Sequence, residues 1–388
     1  MPGYEIIGKE ELREIKDIFD NGGVLFRHGF DHLRNGIYKV NQFEKKFSKK
    51  MNTPHALAVT SGTAALRVAL AAIEIKPKDE IITQSFTFVA TVEAIIESRG
   101  IPIITEIDDT LNMDPKDFEK KITKNTKAVI VVHMLGTPAR LDEIKKIAKK
   151  HKIFLIEDTA WGCGGKYNGI PLGNFGDIGT FSFDFAKTMT TGEGGMVIFK
   201  NKKLFNKAAA WHDHGHENNP KLPRWEDSRS SSGFNYRMNE LQGAVGIAQL
   251  KKLDKVVKGQ RKSAKKILSI LKKYPLTLRK SPKGSKETFD SLVFFVSNPK
   301  LAIRCRNQLL SRGIGTKILP EALTWHFAGS WSHMPQLLKK YGKNIRKKFP
   351  KSYSYLNKAV SIPISMNYKN ELAKKINTAL EKTFKKKI

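Results

Sequence analysis

The chain has 388 residues, 40% hydrophobic and 27% charged, which excludes wholesale disorder and leaves room for about two domains at ~150 residues each. No stretch reaches the ~18 consecutive apolar residues of a membrane span, and the opening residues soon meet Lys9, Glu10 and Glu11 rather than a secretion-signal core. Cys163 and Cys305 stand too far apart for a disulfide framework or zinc spacing, so a reducing cytoplasm is expected.

The first ~30 residues read as a helix and an extended arm. From about residue 56 to residue 200, helical patterns alternate with apolar runs of strand length. A helix over 63–73 precedes a strand over 80–83, and a helix over 88–98 precedes a strand over 102–106. Helix 116–121 then leads to strand 128–132, and helix 141–150 to strand 154–157. Strands 178–183 and 196–199 close the series, joined by a Gly-rich turn that leaves their pairing open. This order predicts βαβ units and a mixed, mostly parallel sheet. Beyond Asp254 follow a basic helix over 255–271, short strands such as 291–296, and a terminal helix from Asn370. Two domains are expected: residues 1–253 as a large α/β unit, and residues 254–388 as a smaller α+β one.

The net charge of +32, from 69 Lys and Arg against 37 Asp and Glu, invites a nucleic-acid reading. Basic residues recur along the chain as doublets such as Lys45-Lys46 and Lys149-Lys150, spaced as on solvated helix faces. With no basic-aromatic RNA motif or zinc-finger spacing, neither a nucleic-acid nor a membrane partner is expected. His212, His214 and His216 alternate as on a strand edge, and no metal is expected there.

Four segments carry chemistry, each at a strand end or helix start, where open α/β sheets bind ligands. In Ser61-Gly62-Thr63 a capping serine opens a helix, and Gly62 lets backbone N–H groups approach an anion. At 154–158 an apolar strand ends in Glu157 and Asp158, able to bind a metal, act as a base, or hold a protonated ring nitrogen. A third segment delivers Ser182 and then Lys187, which has phenylalanines before it, glycines after it and no adjacent basic residue. Lysine is the side chain that forms a Schiff base with an aldehyde cofactor. The fourth, 232–242, is a loop with Asn235 that runs into a helix.

An anion-cradling helix start, an acid at a strand end and a lysine some thirty residues later form the plan of a pyridoxal phosphate enzyme. From about residue 40 to residue 254 the sequence resembles the DegT-type sugar aminotransferases, with the Ser-Gly-Thr-Ala-Ala-Leu, Glu-Asp, Phe-Ser-Phe…Lys and Asn-Tyr-Arg-Met blocks in family order. The resemblance implies pyridoxal phosphate fold type I, the aspartate-aminotransferase fold, and transfer of an amino group, with glutamate as the implied donor, to a keto sugar. Lys187 then matches the Schiff-base lysine and Asp158 the partner of the pyridine nitrogen. Gly62, Thr63 and Ser182 match phosphate contacts, and Phe88 matches the ring stacked on the cofactor. Asn235 matches an asparagine supplied by the neighbouring subunit, which implies a homodimer with shared sites. Trp161 departs from the family, which usually has Gln or His there, and leaves open how the cofactor's phenolic oxygen is contacted.

Shorter matches at 1–5, 30–35 and 213–216 resemble the branch that aminates carbon 8 of a 3-deoxy-octulosonate, a lipopolysaccharide sugar, with Arg27, His32 and Arg34 as candidate carboxylate ligands. The alternative substrate is a nucleotide-linked 4-keto or 3-keto sugar. A related sugar dehydratase would require His where Lys187 stands, and a basic regulatory protein would have no use for the Lys187–Asp158 pair.

Overall fold

The structure, a computed structural model, describes residues 2–219, 221–316, 319–321 and 323–385. Helices α1 (Lys9–Asp20) and α2 (Lys39–Met51) precede β1 (His55–Val59) and α3 (Gly62–Ala72). Then come β2 (Glu80–Gln84), α4 (Val89–Glu97), β3 (Ile101–Thr105), α5 (Pro115–Lys120), β4 (Thr126–Val132), α6 (Leu141–Lys150) and β5 (Phe154–Asp158). Two short pieces, β6 (Lys166–Tyr167) and β7 (Ile170–Pro171), lead to β8 (Ile178–Ser182), β9 (Gly195–Phe199), α7 (Lys202–Trp211) and α8 (Glu240–Leu271).

Seven strands form one sheet in the order β1-β9-β8-β5-β4-β2-β3. Parallel pairing runs from β3 to β8, and β9 is antiparallel to both β8 and β1. The Gly-rich reversal therefore makes a hairpin and not another crossover. Strand alternation explains why both faces are apolar. Ala128, Ile130 and Ile156 pack with α3, while Val129, Val131 and Leu155 pack with Leu141 and Ile144 of α6.

Among the elements not expected from the sequence are α2 and β1. The five lysines of α2 mask an apolar stripe of Val40, Phe43, Phe47 and Met51, which packs on Phe181, Phe183 and Ile198 of the hairpin side. The basic helix begins at Glu240 rather than at residue 255, because Asn239 and Gln242 form a reciprocal cap there. Residue 254 therefore lies inside one continuous helix.

The carboxyl-terminal part contains β10 (Thr277–Leu278), β11 (Ser285–Lys286), β12 (Ser291–Phe295), α9 (Pro299–Leu310), α10 (Leu323–His326), α11 (Pro335–Tyr341), α12 (Pro350–Leu356), β13 (Ala359–Pro363) and α13 (Asn370–Phe384). The antiparallel sheet β10-β12-β13 shares one core with α8, α9 and α13. This part also reaches back to the large sheet. Thr87 donates its N–H to the His326 carbonyl at 2.9 Å, and Ala328 donates to Ser85 at 2.8 Å, which sets α10 beside the turn after β2. Among the described residues, no helix is long and apolar enough to cross a membrane.

Candidate active site

Seven of the eight residues matched to a cofactor site line one cavity of about 340 Å³: Gly62, Thr63, Phe88, Asp158, Trp161, Ser182 and Lys187. Adjacent strands deliver three of them. Asp158 ends β5, Ser182 ends β8, and Lys187 lies on the hairpin from β8 to β9. Asn235 is exposed and outside this lining, bridged to Asp213.

At the start of α3, the Ser61 hydroxyl oxygen accepts from the Ala64 N–H at 3.0 Å. The N–H groups of Gly62 and Thr63, in the first turn, have no acceptor within the helix. A Cβ on Gly62 would stand 2.7 Å from Cβ of Ser182, so the absence of a side chain is what lets α3 and β8 meet. The result is a cradle with backbone donors, a helix dipole and the Ser182 hydroxyl, which is the donor set for a phosphate.

Asp158 is buried at the cavity floor. Its carboxylate accepts from Thr91 Oγ1 and from the Ala160 N–H, each at 3.1 Å. Burial pushes its pKa above the ordinary value, against the pull of the Ala160 hydrogen bond and the Lys187 charge. A buried carboxylate held this way favours a further cation beside it.

One residue earlier the chain turns Glu157 to the opposite face. Its carboxylate lies 3.0 Å from His133 Nε2 and accepts from the N–H of Gly173 and Gly176. Because Ala139 donates to His133 Nδ1, the ring proton sits on Nε2 and points at Glu157. The His133 N–H in turn donates to the Asp158 carbonyl at 3.1 Å, so this pair braces the strand end that carries Asp158. Burial raises the Glu157 pKa, but His133 and the backbone donors outweigh it, leaving a net lowering. Glu157→Gln is expected to destabilise the fold by about 2 kcal/mol at pH 7, because it weakens the charge-assisted hydrogen bonds that His133 and the backbone give a buried carboxylate. A lowered carboxylate pKa contributes stability above the unfolded value and loses it in acid, so the gap should close below about pH 4. Urea unfolding of both proteins across pH checks this.

Lys187 is held by a laced turn. Its N–H donates to the Asp184 carbonyl, the Thr191 N–H donates to the Phe183 carbonyl, the Phe183 N–H donates to the Gly194 carbonyl, and the Gly3 N–H donates to the Lys187 carbonyl at 3.1 Å. Nζ of Lys187 lies 3.4 Å from the Trp161 ring centroid, a cation–π contact at the position where the sequence leaves the family pattern. Phe88 stands at the mouth, with Trp325 stacked on it at 6.4 Å and His326 at 5.4 Å.

Thr91 and His326 escaped the sequence reading. Thr91 sits one helical turn beyond Phe88 and shares its face, a spacing that could have found it. Nothing in the sequence around His326 ties it to a loop more than two hundred residues earlier.

A larger cleft, about 1330 Å³, lies between the 26–32 segment and the 218–227 segment. Its arginines are already engaged: Arg27 with Glu44, and Arg224 with Asp213. Arg34 is buried, donates to the carbonyls of Phe26, Gly29 and Ile37, and lies 3.3 Å from Glu240. Among the described residues no group of His, Cys, Asp and Glu is arranged to hold a metal ion.

A lysine and a buried carboxylate facing an anion cradle across one cavity define a class of enzyme, and similarity to known proteins gives the same class. Residues 10–381 match the DegT/DnrJ/EryC1/StrS aminotransferase family, and the chain belongs to it. It is a pyridoxal phosphate-dependent sugar aminotransferase. It is 34% identical to the GDP-perosamine synthase of Vibrio cholerae over 287 residues, 74% of each chain. It is 31% identical to the spore coat polysaccharide biosynthesis protein SpsC of Bacillus subtilis, over 92% of this chain and 90% of that one. The fold superposes on the aminotransferase from Psychrobacter cryohalolentis with a TM-score of 0.84 at 26% identity, covering 97% of both chains.

Proposed function

We propose that the chain moves an amino group from glutamate to a keto sugar carried on a nucleotide, for a cell-surface polysaccharide. The observation that carries the transaminase chemistry is the meeting of Lys187, Asp158 and the α3 cradle in one cavity. For the sugar, the support is the similarity to a GDP-perosamine synthase. The octulosonate expectation loses its footing because Arg27 and Arg34 are bound to groups within the protein and are not held out for a ligand carboxylate. A cytoplasmic setting fits the two buried free thiols, Cys163 and Cys305.

Pyridoxal phosphate fits the residues present, since the first-turn N–H groups of α3, the Ser182 hydroxyl and buried Asp158 line one cavity with Lys187. When bound, it supplies an aldehyde for amine exchange and a cationic ring that accepts the electrons freed at the donor's α-carbon. Gly62, Thr63 and Ser182 bind its phosphate. Asp158 holds the proton on the ring nitrogen, with Thr91 and Ala160 fixing the carboxylate's direction. Phe88 covers one ring face. The Lys187 amine would hold the aldehyde carbon and, when free, would carry the proton off the donor's α-carbon and deliver one to the sugar carbon. Trp161 lies against this amine and limits its swing. Asn235 reaches the phosphate of a second copy, a role that suits its exposure and its distance from its own chain's cavity lining.

Gly62→Ala should raise the cofactor dissociation constant roughly tenfold or more, since overpacking of this size costs about 1–3 kcal/mol. Absorbance titration of the apoprotein reads it. For the substrate, purified enzyme and glutamate are offered UDP-, GDP- and dTDP-linked 4-keto sugars beside 8-oxo-3-deoxy-octulosonate, with products weighed by mass spectrometry. Amination of a nucleotide sugar is the expected result. Amination of the octulosonate alone would reverse the substrate assignment. Failure even to exchange nitrogen with glutamate would remove glutamate as the donor.

A further inference from the structure

Counted by region, the charge is far from even. Residues 255–388 hold 32 Lys and Arg against five Asp and Glu, a net of +27, while residues 1–254 hold 37 against 32, a net of +5. The doublets recur along the whole chain, but only in the first part are they balanced by acids.

Part of this excess lies on three helices of the carboxyl-terminal part. α8, α9 and α13 share one core with the small sheet, with α13 packed against both α9 and α8. On α8, Val256, Ala264, Ile267 and Leu271 turn inward, and Lys255, Lys258, Lys262, Lys265 and Lys266 are exposed. Among the described residues none of these five forms an ion pair. Lys251 and Lys252, one turn earlier, pair with Glu14 and Glu11. α13 adds exposed Lys374 and Lys382, and Arg304 of α9 donates to the carbonyls of Lys382 and Lys385, tying the two helices together. On α9, Ile303 and Leu310 stand 47% and 45% exposed, two turns apart on one side.

Like charges crowded this way repel one another and do nothing for the core, so an external anion relieves them. The residue types say which kind. Lysines outnumber arginines 26 to six in this region, point charges without the planar fork that reads bases. Exposed Ile303 and Leu310 have a place at a headgroup–acyl boundary and none on a phosphodiester backbone. Against the expectation of no membrane partner, we propose that α8, α9 and α13 dock on the anionic surface of a lipid bilayer, held by lysine charge with a shallow anchor from Ile303 and Leu310, and without crossing it. The proposal stands on charge and exposure, apart from the sugar substrate.

The test uses the full-length, cofactor-loaded protein and sucrose-loaded vesicles, of phosphatidylcholine alone or with phosphatidylglycerol. Sedimentation with the phosphatidylglycerol vesicles only, weakening steeply with salt, is expected. Reversing Lys258, Lys262, Lys265 and Lys266 to Glu should weaken binding about six-hundredfold or more, at about fivefold per lysine, and leave transamination unchanged. Ile303→Ser with Leu310→Ser, all lysines kept, should weaken vesicle binding and leave any retention on single-stranded RNA unaltered. This second variant decides the matter if the first fails to fold. Absence of sedimentation, equal binding to both vesicle types, wild-type binding by the charge-reversed protein, or tighter capture by RNA than by vesicles at equal ionic strength would each overturn the proposal.

Discussion

A protein carrying Lys187→Ala is expected to fold, to keep the anion cradle, and to lose transamination by about four powers of ten or more. The change removes the amine that both holds the aldehyde carbon and moves the proton, and each power of ten corresponds to ~1.4 kcal/mol of barrier. The fold should survive. The contact between Nζ and the Trp161 ring is worth about 1 kcal/mol, and the turn is held by backbone bonds that alanine leaves in place. Borohydride reduction of the unmodified protein followed by peptide mapping should put the pyridoxyl group on Lys187. A label on another lysine would end this assignment.

Asp158→Asn should retain the cofactor and lower the rate about a thousandfold or more, a barrier increase of ~4 kcal/mol. Asparagine keeps the shape and still accepts from Thr91 or Ala160, but it lacks the charge that keeps the ring nitrogen protonated. The apoprotein offers a second readout. Burial raises the Asp158 pKa, so ionising it costs the folded state stability as pH climbs above the unfolded value near ~4. The variant should therefore melt higher than the parent at neutral pH when cofactor is absent, and the two should converge in acid. A near-normal rate in Asp158→Asn would show that another group serves the ring.

The parts legible in the sequence are those whose neighbours along the chain carry the signal. The run Phe-Leu-Ile-Glu-Asp announces a buried strand with acids at its carboxyl end, and an isolated lysine amid phenylalanines and glycines stands out in a lysine-rich chain. The core of α2 was hidden because lysines at the outward positions pull its average down, although its apolar spacing is helical. The arginines show the opposite failure. Arg27 and Arg34 look like ligand groups when read along the chain, and only the folded structure reveals that Glu44 and Glu240 claim them. Likewise, the brace from His133 to Glu157 and the entry of His326 into the cavity depend on contacts between segments far apart, where no local pattern can speak.

The order of strands in the large sheet has a consequence for biosynthesis. β1 occupies residues 55–59, yet its neighbour β9 is made only at 195–199. Gly62 leaves from beyond β1, and Ser182 and Lys187 come from the hairpin that must slot between β1 and β5. A nascent chain that stops short of Phe199 thus has every parallel strand of the sheet and no place for the cofactor. Vitamin uptake must wait until the hairpin has zipped into place, and once loaded, the ligand links the earliest and the latest strands of the sheet. Its binding energy then opposes their separation, adding about 2.7 kcal/mol when the ligand stands at a hundred times its dissociation constant. Amide exchange in β1, β8 and β9 should slow together on loading.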